Sequence, residues 1–149
     1  MVFSKTFGYA LRGVLYVALM DKNTNRVPLQ AISQHLGIPK PFLGKVMKRL
    51  VQAGILSSQR GPGGGFYLLS KTLESPLTQL LEVFGELDEF SKCVLHFKSC
   101  NEKNPCPLHE QSREVRAQWF HLLRSVTLGD LIKNKLTPEL NAVLIDSSI

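Results

Sequence analysis

Cys93, Cys100, Cys106 and His109 fall within one short stretch of this sequence. Six residues separate the first two cysteines, five the next two, and two lie between Cys106 and His109. Thiolates and imidazole are the donors taken by zinc and by iron–sulfur clusters. The intervening residues, from Val94 to Ser99 and from Asn101 to Pro105, are loop-like, so the backbone can bring the sulfurs together. Structural zinc sites usually contain close Cys-x-x-Cys pairs, and none occurs here. The longer gaps suit a larger inorganic core. Spacing alone leaves three readings open: a cluster, a zinc ion, or unligated thiols. A thiol enzyme is disfavoured, because no acid–base pair, nucleotide loop or Cys-x-x-Cys redox pair accompanies the cysteines. Among the other histidines, His96 is a weaker ligand candidate inside the loop. His35 and His121 sit on helical stretches and read as packing or surface residues.

These donors need elements to hold them. The pattern loses periodicity between about Glu86 and Pro107, where all three cysteines fall. A long helix follows from about Leu108 to Ser125, with Val115, Trp119, Leu122 and Val126 recurring at helical steps. Thr127 caps a last short helix, with Asp130 three residues on. Before the loop, Ser75-Pro76 reads as an N-cap followed by proline at the first helical position, with Leu77, Leu80, Leu81 and Phe84 as the buried stripe.

The N-terminal part has a different character. Ser4 can cap a helix from about Lys5 to Asp21, with Phe7, Leu11, Val14, Leu15 and Ala18 inward. A polar turn occupies Asp21 to Asn25. A short helix over Leu29–Leu36 stops at Gly37, and another begins at Pro39 and runs to about Ala53. Its expected apolar face is Phe42, Leu43, Val46 and Leu50. Helix, tight turn and helix at this spacing predict a helix-turn-helix, whose second helix enters the DNA major groove. Lys40, Pro41, Gly44, Lys45 and Lys48 are then expected to face DNA. Ile55–Gln59 and Phe66–Leu69 read as two strands around Arg60-Gly61-Pro62-Gly63-Gly64-Gly65, a wing hairpin. Arg60 at its tip suits the negative potential of a narrow minor groove. The amides of Gly63, Gly64 and Gly65 can approach phosphates. The glycines match neither the dinucleotide fingerprint nor the P-loop.

Charge agrees with this division. The 149 residues carry a formal net charge of +6, but residues 1–73 account for +9 and residues 74–149 for −3. A basic half facing a polyanion, joined to a half with another task, fits that split. Residues 1–73 are expected to bind DNA and residues 74–149 to hold a sensor loop and dimerisation helices. No apolar run approaches the ~20 residues that span a bilayer. No signal-peptide pattern opens the chain, so a cytoplasmic location is expected. The odd cysteine count in a reducing compartment argues against disulfides.

Several segments carry a resemblance to a known family. They are Tyr9-Ala10-Leu11-Arg12, Val27-Pro28-Leu29 with Ile32-Ser33, the wing from Arg60 to Leu68, the cysteine loop with His109, and Thr127-Leu128-Gly129-Asp130-Leu131. From about Phe3 to Lys133 the chain resembles the Rrf family of bacterial winged-helix transcriptional regulators, in its cluster-binding form. The resemblance implies a mainly α fold with a small β-hairpin: a winged helix-turn-helix followed by a long C-terminal dimerisation helix. It also implies a homodimer on double-stranded DNA with a two-fold operator, and no small-molecule substrate. Cys93, Cys100, Cys106 and His109 would hold an iron–sulfur cluster, 2Fe–2S in type, with 4Fe–4S as the alternative. Members that use an N-terminal acid as fourth ligand differ from this chain, which has Gly8 there. The rival expectation is a cofactor-free winged-helix regulator or interaction protein with spare thiols.

Overall fold

The computed structural model describes residues 3–21 and 26–133. Of the turn expected over residues 21–25, only Asp21 is described, and the tail beyond Pro138 lies outside the described residues. Helix α1 (Lys5–Met20) starts where expected, with the Ser4 hydroxyl accepting from the Phe7 amide at 3.1 Å. Helices α2 (Leu29–Leu36) and α3 (Lys40–Gln52) follow. Strands β1 (Ser57–Gln59) and β2 (Gly65–Tyr67) form one antiparallel hairpin, pairing Ser57 with Tyr67 and Gln59 with Gly65. After a 3-10 turn at Ser70–Glu74 come α4 (Leu77–Val83), a second 3-10 turn at Leu87–Phe90, α5 (His109–Ser125) and α6 (Leu128–Lys133). The fold is thus mainly helical with one small hairpin.

The turn between α2 and α3 is built locally. Gly37 takes the left-handed conformation (φ 63°) that ends α2, which glycine reaches without a Cβ penalty. The Ser33 hydroxyl donates to the Ile38 carbonyl at 2.6 Å, and Arg12 on α1 donates to the Leu36 carbonyl at 3.0 Å. The last carbonyls of a helix lack intrahelical partners, so a cation there satisfies one and complements the helix dipole.

The inner face of α3 is Leu43, Val46, Met47 and Leu50, all buried. Burial of each such side chain contributes about 2 kcal/mol. Phe42 departs from expectation: it is 41% exposed and meets Tyr9 of α1 edge-on, 5.5 Å between ring centres. The stripe at 43, 46, 47 and 50 leaves position 42 at its margin, and Met47 takes the inward place. The start of α4 differs too. Its N-cap is Pro76, not Ser75, and no side chain caps it. Instead Leu77 N–H donates to the Val126 carbonyl and Leu128 N–H to the Ser75 carbonyl, both at 3.0 Å. This antiparallel bridge between Pro76 and Thr127 ties the start of α4 to the start of α6. One apolar core runs through both halves: Leu77, Leu80, Leu81, Leu123 and Leu128 pack with the buried residues of α1, α2 and α3.

Candidate metal centre and nucleic-acid interface

The cysteine loop closes on itself. The Sγ atoms of Cys93, Cys100 and Cys106 all lie within 4.8 Å of one another. Cys93 and Cys106 are 3.6 Å apart, and Cys100 Sγ is 3.2 Å from His109 Nδ1. Three sulfurs thus converge, and His109 joins them through Cys100. Short backbone bonds fold the loop: the His96 amide donates to the Cys93 carbonyl (2.9 Å) and the His109 amide to the Cys106 carbonyl (3.0 Å). The Cys106 amide points at Cys100 Sγ at 3.4 Å. An Asx turn at Asn101, whose Oδ1 accepts from the Lys103 and Asn104 amides, folds the loop between the last two cysteines. His96 sits at φ 59°, a backbone conformation rare for a residue with a side chain.

The electrostatics favour ionising Cys93. Burial works against ionising Cys93, but the Phe97 and Leu95 amides and the Cys106 and Cys100 thiols outweigh it and bring Cys93 down to about 7. Cys106 goes the other way, raised by burial and by its two sulfur neighbours. Three thiols this close cannot all ionise cheaply without a cation among them. His109 occupies the first turn of the 17-residue α5, whose N-terminal end carries positive dipole character suited to an anionic centre. Its Nε2 is buried and, among the described residues, has no hydrogen-bond partner. Sulfur-rich donors, a facing imidazole nitrogen and an orphaned ring nitrogen all fit an inorganic group bound by these four residues. The neighbouring backbone is anchored as well: Arg116 of α5 donates to the Lys92 carbonyl, beside Cys93.

On the opposite part of the chain, Lys40, Pro41, Lys45 and Lys48 of α3 are exposed. Gly44 is half-buried, and a Cβ there would meet Leu29 Cδ2 at 3.4 Å. It therefore lies beside α2 rather than out with the lysines. In the wing, Arg60 and Gly63 are exposed. The Gly64 amide, expected to be open to a phosphate, donates instead to the Gly61 carbonyl at 2.9 Å within the turn. A Cβ on Gly64 would run into the Gln59 carbonyl, and one on Gly65 would come within 2.5 Å of the Val27 carbonyl. These two glycines serve close packing. Val27 and Phe66 exchange backbone hydrogen bonds (2.9 and 2.8 Å), so β2 is clamped from its outer side. Arg26 belongs to this surface although the sequence pattern did not single it out. Its guanidinium lies 3.6 Å from the centre of the Tyr67 ring, and Nε donates to Gln59 at 3.1 Å. It becomes visible only once the segment at residue 27 is seen to join the hairpin. Asp21, the lone acid of the basic half, accepts from the Leu68 amide at 3.0 Å and anchors the wing to α1.

The Rrf2 family, described as an iron-dependent transcriptional regulator, matches residues 3–134. The chain belongs to the Rrf2 family. An Aquifex aeolicus relative whose name places it among HTH-type transcriptional regulators is 36% identical over 135 residues, 89% of this chain and 92% of that one. The regulator IscR of Klebsiella pneumoniae is 34% identical over 128 residues, 85% of this chain and 77% of that one. Among solved structures, the global cysteine regulator CymR of B. subtilis superimposes with a TM-score of 0.70 at 21% identity, covering 89% of this chain and 97% of the other. IscR of T. potens superimposes with a TM-score of 0.65 at 22% identity, covering 89% and 86%. At those identities the superpositions speak for the winged-helix fold. As an Rrf2 protein of the IscR type, the chain is a transcriptional regulator and not an enzyme. No helix among its described residues is long and apolar enough to cross a membrane.

Proposed function

We propose that this Rrf2 protein is a cytoplasmic, homodimeric repressor or activator whose affinity for a two-fold operator depends on an iron–sulfur cluster held by Cys93, Cys100, Cys106 and His109. The observation that carries the proposal is the convergence of three sulfurs, with His109 against Cys100. A 2Fe–2S centre takes two protein donors on each of two irons, and three thiolates with one imidazole would make up that number. When bound, such a cluster brings one-electron chemistry and reactivity toward oxidants and nitric oxide, the chemistry a sensor of redox, iron or nitric oxide status requires. Residues 74–149 would hold this sensor and the dimer helix, and residues 1–73 the DNA-binding unit.

The residues divide the work as follows. Lys40, Pro41, Lys45 and Lys48 present the recognition helix to the major groove, with Gly44 letting it lie close against α2. Arg60 and the exposed turn at Gly63 reach the neighbouring minor groove or backbone. Leu108, Val115, Trp119 and Leu122 of α5 are exposed large apolar groups in heptad-like register and form the dimer seam. Only Leu123 of α5 is buried; Val115 and Leu122 stay exposed, and Trp119 is half-covered by Phe3. His109 begins the helix that carries this seam. Ligation through His109 therefore fixes the start of α5, and α5 sets the spacing of the two recognition helices across half-sites roughly 34 Å apart.

The test is anaerobic visible and Mössbauer spectroscopy of the purified protein, with DNA binding by Cys93→Ala, Cys100→Ala and Cys106→Ala in parallel. Absorbance from a two-iron centre, lost in each variant together with about a tenfold or larger change in operator affinity, is the expected result. A four-iron signature corrects the cluster type. A colourless, iron-free protein whose variants bind DNA unchanged overturns the proposal.

A further inference from the structure

The four bases of α3 are not alike. All four are exposed, but Arg49 also reaches back to α4. Its Nη2 donates to the Val83 carbonyl at 2.6 Å, and its guanidinium lies 4.9 Å from the centre of the Phe84 ring. Val83 ends α4, so its carbonyl is one of those with no partner inside the helix. A planar guanidinium can bond that carbonyl edge-on while stacking on the ring; an ammonium of the same charge cannot do both.

The chain beyond Phe84 leads directly to the cysteine loop, and each step is held. The Glu86 carboxylate accepts from the Ser4 hydroxyl at the head of α1. Phe90 packs on Phe3 (5.8 Å between ring centres), which meets Trp119 of α5 edge-on at 5.4 Å. Lys92, bonded by Arg116 of α5, then precedes Cys93. The stretch from Phe84 to Cys93 thus touches α1, α5 and, through Arg49 alone among its bases, the recognition helix.

We propose that Arg49 is a positioning residue: it ties α3 to the end of α4, carries changes in the cysteine loop to the recognition helix, and does not contact DNA. This rests on the reading that operator affinity follows the state of the loop. The experiment compares wild type, Arg49→Lys, Phe84→Leu and the double variant, each purified anaerobically. The probe is a duplex selected by the wild-type protein from a randomised pool. Binding is measured across a salt series, before and after iron is removed with a chelator. Fluorescence of Trp119, the only tryptophan in the chain, is followed in the same samples.

In the wild type, affinity should change about tenfold or more between the two states. In Arg49→Lys and Phe84→Leu that ratio should fall to about twofold, with no further fall in the double variant, as expected for two halves of one contact. The slope of log affinity against log salt should stay at the wild-type value, because no phosphate contact is lost. Trp119 fluorescence should still respond to iron removal, showing that the loop changes but α3 no longer follows. If wild type responds and Arg49→Lys responds equally, this proposal fails and the cluster reading survives. A salt slope reduced by about 0.9 per subunit in Arg49→Gln makes Arg49 a phosphate contact and also overturns it. If wild-type affinity is the same in both states, the cluster reading falls, and this inference with it.

Discussion

A single added methyl group distinguishes the glycines of the wing. Gly63 stands in open space at φ 72°, whereas Gly65, at φ 151°, has the Val27 carbonyl where a Cβ would go. Gly63→Ala should cost about 1 kcal/mol for the left-handed backbone alone. Gly65→Ala adds a clash with backbone that cannot swing aside, and should cost about 3 kcal/mol in all. Thermal unfolding of the two variants, with Gly65→Ala melting several degrees below Gly63→Ala, checks the order. The sequence shows a glycine-rich turn here but not which glycine is irreplaceable, because the answer depends on Val27, far away along the chain. The cysteine site divides the same way. Its donor set is legible from residue types and spacing. That Cys93 lies against Cys106 and Cys100 against His109 is not, because it depends on the path of the loop between them.

Among the elements, helix ends were the most legible features. Ser4, Gly37 and the Thr127/Asp130 pair all act where their residue types place them. At α6 the Thr127 amide donates to Asp130 Oδ2 at 2.9 Å, and the Asp130 amide to Thr127 Oγ1 at 3.1 Å, a reciprocal capping box. The bond from the Thr127 amide, the Thr127 side chain and nearby Lys133 hold Asp130 below its ordinary value of 3.8. A carboxylate depressed in the folded state contributes stability that is present above its unfolded value and is lost as pH falls through the folded one. Asp130→Asn should therefore melt below wild type at neutral pH. The gap should begin to narrow near pH 3.8 and close only as pH falls through the lower folded-state value, where native Asp130 is itself protonated. Melting curves at neutral and strongly acidic pH decide it; a gap that stays constant removes the charge from the account. The start of α4 was less legible than these caps, since a backbone bridge to residues 126–128 replaces the side-chain cap that Ser75-Pro76 suggested.

At the scale of the whole molecule, the division of charge at residue 73 is not a division of the core. Leu77, Leu80, Leu81, Leu123 and Leu128 share one interior with α1, α2 and α3. Periodicity shows which face of a helix is apolar but not which face finds a partner within the same chain. Thus the Trp119 stripe was visible in the sequence, while its exposure was not. That exposure makes a clear expectation for the assembly. Leu122, 47% exposed in one chain, should be deeply buried in a dimer joined along α5. Leu122→Glu would place a charge in that seam and should weaken the dimer about a hundredfold, since a central interface residue is commonly worth 2 kcal/mol or more. Light scattering should show monomer at concentrations where the wild type is dimeric, while the melting temperature of the single chain stays nearly unchanged.

The bridge between Pro76 and Thr127 bears on how such a molecule ages. It brings the two ends of the cysteine-bearing segment side by side and fastens both to the core, in addition to the contacts of Phe90 and Trp119 with Phe3. The segment's stretch around Val94, Leu95 and Phe97 is exposed, and an exposed loop is where a protease cuts most readily. A cut there opens the segment without parting the molecule. The two pieces remain joined through the bridge and the leucines beneath it, and come apart only in denaturant. Damage at the sensor therefore leaves the winged helix folded, and a nicked regulator can outlast the loss of its own regulation.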